Sequence, residues 1–170
     1  MAPILSLPEE SLDRIRADVS PSVVSIWAID KSTGSKKQKR REKSSVVSDY
    51  EFEETVQCFR SGFVFDYELG ICIILTLSKG LDTSKRIFVQ FECGACFEAV
   101  TTLEDKKSKL AAIVVTVTGL EGFVPKKVTL SEQNAEQCEE VIHMGNFDKT
   151  SPKLHFSSGS IGLVGHNYSL

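Results

Sequence analysis

The sequence predicts an all-β protein with a closed six-stranded barrel, an incomplete second barrel and a short N-terminal helix. From residue 23 onward, short runs rich in Val, Ile, Phe and Thr are separated by Gly, Asp, Asn and Lys clusters, a pattern typical of strands joined by turns. Six such runs precede Gly119, and closure of six strands removes exposed sheet edges. Only three such runs follow Gly119, which is too few to close another barrel. With 170 residues and 41% hydrophobic content, the chain can bury a core.

A short amphipathic helix is predicted before the first strand. Ser6 lies three residues before Glu9, which is the spacing of a capping box. Apolar residues then recur at helical intervals at Leu12, Ile15 and Val19. Pro21 should stop the helix, because the residue before a proline is biased away from helical conformation. Residues 1–20 are therefore expected to form an N-terminal helix or arm.

The predicted strands fall into two groups. The first group belongs to residues 21–120 and is expected to form the barrel, with strands at residues 23–29, 56–65, 71–76, 87–92, 97–103 and 110–117. The second group belongs to residues 121–170, which we expect to hold a linker and the first strands of the incomplete second barrel, at residues 128–130, 141–144 and 154–163.

A charged loop is predicted between the first two strands, over residues 31–54. Its first part holds six cations, Lys36, Lys37, Lys39, Arg40, Arg41 and Lys43. A run of like charge repels itself and stays solvated, so we expect this loop to be mobile. The alternative is that the six cations form a binding site for nuclear import or nucleic acid. No aromatic side chain interleaves with them, which disfavours base stacking.

Charge, hydropathy and cysteine content restrict the class of protein. A net charge of −3 disfavours a surface that coats nucleic acid, and the longest apolar runs are far shorter than a membrane span. The first residues lack the pattern of a secretory signal. Five scattered cysteines favour a reducing compartment. We therefore expect a cytoplasmic or nuclear protein that has no membrane contact and for which nucleic acid is not the favoured partner.

The segment Cys93-Gly94-Ala95-Cys96 admits two interpretations. Its spacing occurs in redox pairs and in zinc sites. It also lies between two predicted strands, where Gly94 suits a hairpin turn, which is the favoured interpretation. The histidines show no paired metal-ligand spacing, so we expect no metal and no cofactor. Cys58, Cys72 and Trp27 fall in predicted strands and are expected to fill the barrel.

Several segments taken together resemble the HtrA/Deg family of trypsin-like serine proteases. In chain order they are residues 21–26 (PSVVSI), 61–66 (SGFVFD), 74–76 (ILT), 88–91 (FVQF), 97–99 (FEA), 110–111 (LA), 145–146 (GN) and 158–161 (SGSI). The resemblance implies a chymotrypsin-like first barrel and the start of a second. The regulatory PDZ domains typical of the family have no counterpart in these residues.

The resemblance also implies a catalytic triad, in which a histidine activates a serine and an aspartate orients the histidine. Lys79 stands at the histidine position and Lys109 at the aspartate position. The serine position falls beyond that of Leu170. Because a protonated lysine cannot accept the serine proton, we expect these degenerate positions to support no peptidase activity. A Ser78–Lys79 dyad is disfavoured, since adjacent side chains point to opposite sides of a strand.

The sequence therefore favours a pseudoprotease, a non-catalytic protease-like protein that acts as a protein-interaction or regulatory module. Open strand edges in an incomplete second barrel could recruit a protein partner or a second copy of the chain. Two alternatives stay open. The chain could be a fragment of a longer trypsin-like serine protease, or a nuclear or nucleic-acid-contacting protein that uses the cations of residues 36–43.

Overall fold

The computed structural model describes residues 8–30, 56–81, 85–120, 122–134, 136–137, 139–146 and 154–161. The predicted loop at residues 31–54, with its cation cluster of Lys36, Lys37, Lys39, Arg40, Arg41 and Lys43, lies outside these ranges. The described residues form helix α1 (Glu9–Val19), a 3₁₀ helix (Ser20–Ser22) and the strands β1 (Val23–Asp30), β2 (Val56–Glu68), β3 (Ile71–Leu77), β4 (Lys85–Phe91), β5 (Cys96–Asp105), β6 (Leu110–Thr116), β7 (Glu140–Gly145) and β8 (His155–Ser160).

Strands β1 to β6 form a closed antiparallel barrel in the order β1-β2-β3-β6-β5-β4. The predicted all-β class and the six-stranded barrel are confirmed. Strands β7 and β8 form a separate two-stranded sheet, also antiparallel. Within the described ranges, no helix has both the length and the apolar character needed to cross a membrane.

The barrel interior is filled by alternate residues of each strand. In β3 and β6 the buried positions alternate strictly, because successive side chains point to opposite faces of a sheet. The innermost side chains include Val24, Ile26, Val64, Cys72, Ile74, Val89, Ile113 and Val115. Complete removal of this apolar surface from water is the main stabilisation of a barrel of this size. The predicted core position of Cys72 is confirmed, while the Cys58 side chain is outside the described set.

Strand β2 is shared between two parts of the barrel wall. Its first part pairs with β1 as far as Phe63, and its second part pairs with β3, with a bulge between Val64 and Asp66. Gly62 precedes this bulge and pairs with Val24, and an added Cβ there would lie 2.6 Å from Ile26 Cδ1. The absence of a side chain at this position therefore lets β2 approach the interior closely.

The outer face of β1 and β4 carries a second buried cluster. Trp27 and Phe88 are cross-strand partners, and their rings stack with centroids 4.3 Å apart. The Arg86 guanidinium lies 5.0 Å from the Phe88 centroid and pairs with both carboxylate oxygens of Glu98. The prediction that Trp27 fills the barrel interior is therefore wrong, because its side chain packs on the outer face of the sheet. Its neighbours in sequence occupy the interior, so strand alternation directs Trp27 outward.

The start of α1 differs from the sequence prediction. The helix begins at Glu9, and the carbonyl of Pro8 accepts hydrogen bonds from the Ser11 and Leu12 N–H groups. The predicted capping box is therefore wrong, since Pro8 occupies the N-cap and no side chain caps the helix. Proline suits a helix start because its φ is fixed near the helical value and it has no N–H to satisfy.

The predicted strand at residues 128–130 is also wrong. The Val128 N–H donates to the Val64 carbonyl at 2.9 Å, on the side of β2 that β1 leaves open beyond Phe63. The next two side chains, Thr129 and Leu130, are exposed and continue no ladder with β2. The apolar pattern of this short segment thus reflects one point of attachment to the barrel. Strands β7 and β8 confirm the other two predicted segments, with residues 162–163 outside the described ranges.

Candidate functional site

The structure brings the two degenerate catalytic positions to the same end of the barrel. Strand β3 ends at Leu77. The N–H of the next residue, Ser78, donates to the carbonyl of Lys109 at 2.8 Å, and Lys109 directly precedes the first residue of β6. The side chains of Lys79 and Lys109 are both exposed. Ser78 is only 7% exposed, so its hydroxyl and the Lys79 amine lie in different environments. This arrangement offers no support for a Ser78–Lys79 dyad.

Further cations surround the turn that follows β3. Arg60 donates from Nη1 to the Leu77 carbonyl at 2.7 Å, and Lys85 donates from Nζ to the Gly80 carbonyl at 3.4 Å. With Lys79 and Lys109, these residues make one end of the barrel cationic. Among the described residues, none of the ion pairs includes Lys79, Lys85 or Lys109.

The acidic residue nearest in sequence to Lys109 is held within its own turn. The Asp105 carboxylate accepts a hydrogen bond from the Lys107 N–H at 3.0 Å. Hydrogen bonds from the Ser108 side chain and from the Lys107 backbone hold the pKa of Asp105 below its usual range. Asp105 therefore stabilises the β5–β6 turn, in which Lys109 adopts a positive φ of 59°.

An apolar groove of about 280 Å³ lies beside this cationic end, on the outer face of the barrel. We call it the Leu77–Leu110 groove; its lining residues are Val23, Ser61, Gly62, Phe63, Leu75, Thr76, Leu77, Leu110 and Met144. Leu77 and Leu110 are cross-strand partners with relative exposures of 64% and 42%. Met144 of β7 supplies the wall opposite the barrel.

Sequence reasoning missed this groove. One signal was available, because β3 reads Ile71-Cys72-Ile73-Ile74-Leu75-Thr76-Leu77 and is apolar on both of its faces. The inward face fills the barrel, so the outward leucines needed a second explanation. The contribution of Met144 could not be read from the sequence, since it depends on how β7 is docked.

The β7–β8 hairpin is attached to the barrel through β7. The Asn146 N–H donates to Ser61 Oγ, and an added Cβ at Gly145 would lie 2.7 Å from the same oxygen. Strand β7 contacts β1 and β2 of the barrel, and β8 pairs with β7 in the two-stranded sheet. A glycine at position 145 is therefore needed for this close approach.

The hydrogen-bond register of the hairpin identifies which groups face outward. The Ile161 N–H donates to the Glu139 carbonyl at 3.0 Å, so this opposed pair is hydrogen-bonded. Hydrogen-bonded and non-hydrogen-bonded pairs alternate in an antiparallel ladder, which makes Ile142 and Ser158 a non-hydrogen-bonded pair. The N–H and C=O of Ser158 therefore point to the outer edge of β8. The outward direction of the Asn146 N–H, toward Ser61, agrees with this alternation.

The segment between Cys93 and Cys96 forms the turn between β4 and β5. The Gly94 N–H donates to the Phe91 carbonyl at 2.9 Å, and Gly94 has a positive φ of 85°. The predicted hairpin turn is confirmed. Burial raises the pKa of the Cys96 thiol to about 12, which disfavours the thiolate that redox chemistry requires. Across the described ranges, no three His, Cys, Asp or Glu side chains form a group that could hold a metal.

No protein-family model matches the chain, and no curated protein matches it. The resemblance to the HtrA/Deg family therefore stays a prediction that rests on the quoted segments.

Proposed function

We propose that the chain is a non-catalytic, protease-like interaction module that associates with a second copy of itself through the outer edge of β8. The observation that carries this proposal is the hairpin register, which directs the backbone groups of Ser158 away from β7. An open strand edge offers main-chain hydrogen bonds to an incoming strand.

The absence of catalysis is part of the proposal. The positions that resemble the catalytic histidine and aspartate hold Lys79 and Lys109, and both side chains are exposed at the barrel end. A lysine ammonium group has three hydrogen-bond donors and no acceptor for a serine proton. The chemistry of these side chains therefore supports binding rather than general base catalysis.

The composition of β8 supports association at this edge. Natural proteins usually protect an edge strand with lysine, proline or an inward-pointing charge. Strand β8 reads His155-Phe156-Ser157-Ser158-Gly159-Ser160 and contains none of these. Its serine side chains are small and Gly159 has none, so the faces of β8 place no bulky group beside an incoming strand.

A second copy is the occupant that fits such an edge best. Two β8 strands can pair antiparallel about a two-fold axis, in which each Ser158 contributes the same groups to both sides. Each chain then supplies the donors and acceptors that the other needs. The expected assembly is a closed dimer, and it adds β8 of one copy to the β7–β8 sheet of the other.

The substitution Ser158→Pro tests this arrangement. Proline removes the outward N–H and places a ring at the edge, yet it spares the hydrogen bonds between β7 and β8. Size exclusion with light scattering should show a dimer for the wild-type chain and a monomer for Ser158→Pro. Each intermolecular hydrogen bond lost costs about 1 kcal/mol, in addition to the steric clash.

The substitution Ser158→Ala is the matched control, because it removes the hydroxyl and retains the N–H. It should stay dimeric. A wild-type chain that remains monomeric at every concentration would contradict the proposal. So would a Ser158→Pro variant that keeps the wild-type mass.

A further inference from the structure

We infer that the Leu77–Leu110 groove binds an extended segment of a partner protein in which apolar and acidic side chains alternate. The inference rests on the proposed function, since it names the chemistry of a partner for a module without catalysis. Met144 of β7 lines one side of the groove, whereas the proposed dimer edge belongs to β8. The two surfaces can therefore be tested separately.

The first argument is the contiguity of exposed apolar surface. Leu77 and Leu110 form the last cross-strand pair of β3 and β6, and more than two fifths of each is exposed, at 64% and 42%. Phe63 and Leu75 are also cross-strand partners and continue the same face as half-buried side chains. A single exposed leucine needs no explanation, but a contiguous apolar groove with a polar rim is typical of an interaction site.

The second argument is the charge of the rim. Lys79 follows Leu77 by two residues, and Lys109 directly precedes Leu110, so each exposed leucine has a lysine close beside it. Arg60 and Lys85 lie at the same end, where each donates to a backbone carbonyl. Charge complementarity therefore favours an acidic occupant over a basic one.

The third argument is the fit of an alternating sequence. Successive side chains of an extended segment point to opposite faces, so an apolar side chain can enter the groove while its neighbours stay on the solvent side, where the long lysine side chains of the rim can reach them. A volume of about 280 Å³ is small for a drug-sized molecule and suits the insertion of apolar side chains. Acidic neighbours would then lie near Lys79 and Lys109.

The test uses the full chain and fluorescence anisotropy with short synthetic peptides. The probe peptide alternates glutamate and leucine, and two comparison peptides alternate lysine with leucine and glutamate with serine. The glutamate–leucine peptide should bind, and both comparison peptides should bind much more weakly. Raised salt should weaken binding, because the rim charges are exposed to solvent.

The variants Lys79→Glu and Lys109→Glu should each weaken binding of the probe about tenfold, since each turns an attraction at the rim into a repulsion. Arg14→Glu is the matched control. It makes the same charge change on an exposed residue of α1, and it should bind as the wild-type chain does. Unchanged circular dichroism of all three variants shows that the fold is kept.

The inference is overturned if the lysine–leucine peptide binds equally well, or if neither lysine variant changes the affinity. Binding of phosphatidylserine vesicles in preference to the peptide also overturns it. A chain that dimerises but ignores every peptide refutes this inference and leaves the proposed dimer intact. A monomeric chain whose peptide binding requires Lys79 and Lys109 supports the inference and refutes only the dimer.

Discussion

Cys72 shows how the barrel interior acts on a single ionisable group. The side chain is fully buried, and burial raises the pKa of its thiol to about 12, with a smaller contribution from the negative charge of Asp66. The folded chain therefore holds the Cys72 proton at pH values where an unfolded chain, with a thiol pKa near 9, releases it. A raised pKa in the folded state lowers stability as the pH rises between these two values.

We predict that the free energy of unfolding falls as the pH rises above about 9, by about 1.4 kcal/mol per pH unit for a thiol such as Cys72. Urea unfolding at a series of pH values measures this slope. The substitution Cys72→Val removes the thiol and should make the slope shallower. Cys93→Val makes the same change at an exposed turn residue and is the matched control. An identical slope for wild type and Cys72→Val would refute the prediction.

One of the contacts that dock β7 on the barrel joins Ser61 of β2 to the end of β7. Ser61 of β2 accepts a hydrogen bond from the Asn146 N–H, and Gly145 packs closely against the same serine. The two residues should therefore be energetically coupled, because the space for a side chain at Gly145 is occupied by Ser61 Oγ.

We predict that Gly145→Ala loosens the hairpin by about 1–3 kcal/mol, which is the usual cost of overpacking. Ser61→Ala should also loosen it, by removing the acceptor for Asn146. The combined variant should be no looser than Ser61→Ala, because the nearest remaining Ser61 atom is Cβ, at an ordinary 3.4 Å. Hydrogen exchange of the β7 amides measures the effect of each variant.

The control for this cycle is Gly159→Ala. An added Cβ at Gly159 has no neighbour within 4 Å, so exchange in β7 should be unchanged. Additive effects of Gly145→Ala and Ser61→Ala would contradict the predicted coupling.

The strands themselves were predictable from sequence, and their ends were less so. Apolar runs separated by turn residues located all six barrel strands, because Val, Ile, Phe and Thr favour strands and Gly, Asp and Asn clusters favour the turns between them. Strand β2 extends to Glu68, three residues beyond its predicted end at residue 65, because pairing with β3 continues past the bulge. The error at residues 128–130 has the opposite cause, since a short apolar run there contacts the barrel without pairing along it.

The strands that the structure describes form a closed barrel and a two-stranded hairpin, and the sequence predicted the barrel and both strands of the hairpin. It did not reveal the groove, because Leu77, Leu110 and Met144 come from three strands that meet only when the barrel closes and β7 docks. Alternation within a strand is a local property, whereas the groove depends on contacts between residues far apart in sequence. The cationic end could be anticipated only in part, from Lys79 and Lys109.

We predict that a fragment comprising residues 1–128 keeps the barrel and loses dimerisation. The cut retains the attachment of the segment after β6, in which the Lys126 N–H donates to the Pro21 carbonyl at 3.1 Å and the Val128 N–H to the Val64 carbonyl at 2.9 Å. Thermal unfolding should remain a single cooperative transition. Light scattering should give the mass of a monomer.

A fragment that still dimerises would place the association surface on the barrel itself. A fragment without a cooperative transition would mean that the hairpin is required for the barrel to fold.

The closure of the barrel through β1 and β4 determines the order in which a newly made chain can fold. Strand β1 has buried side chains on both faces, yet one of its two neighbours, β4, ends only at Phe91. The barrel wall is complete only when the chain has left the ribosome as far as Thr116, the last residue of β6. A barrel whose strands pair over such long sequence distances folds slowly, and its apolar strands stay exposed to solvent during synthesis. On the ribosome, β1 is made first among the barrel strands although both of its faces are buried in the finished barrel, and the interval before β4 and β6 follow is when the nascent chain most needs a chaperone.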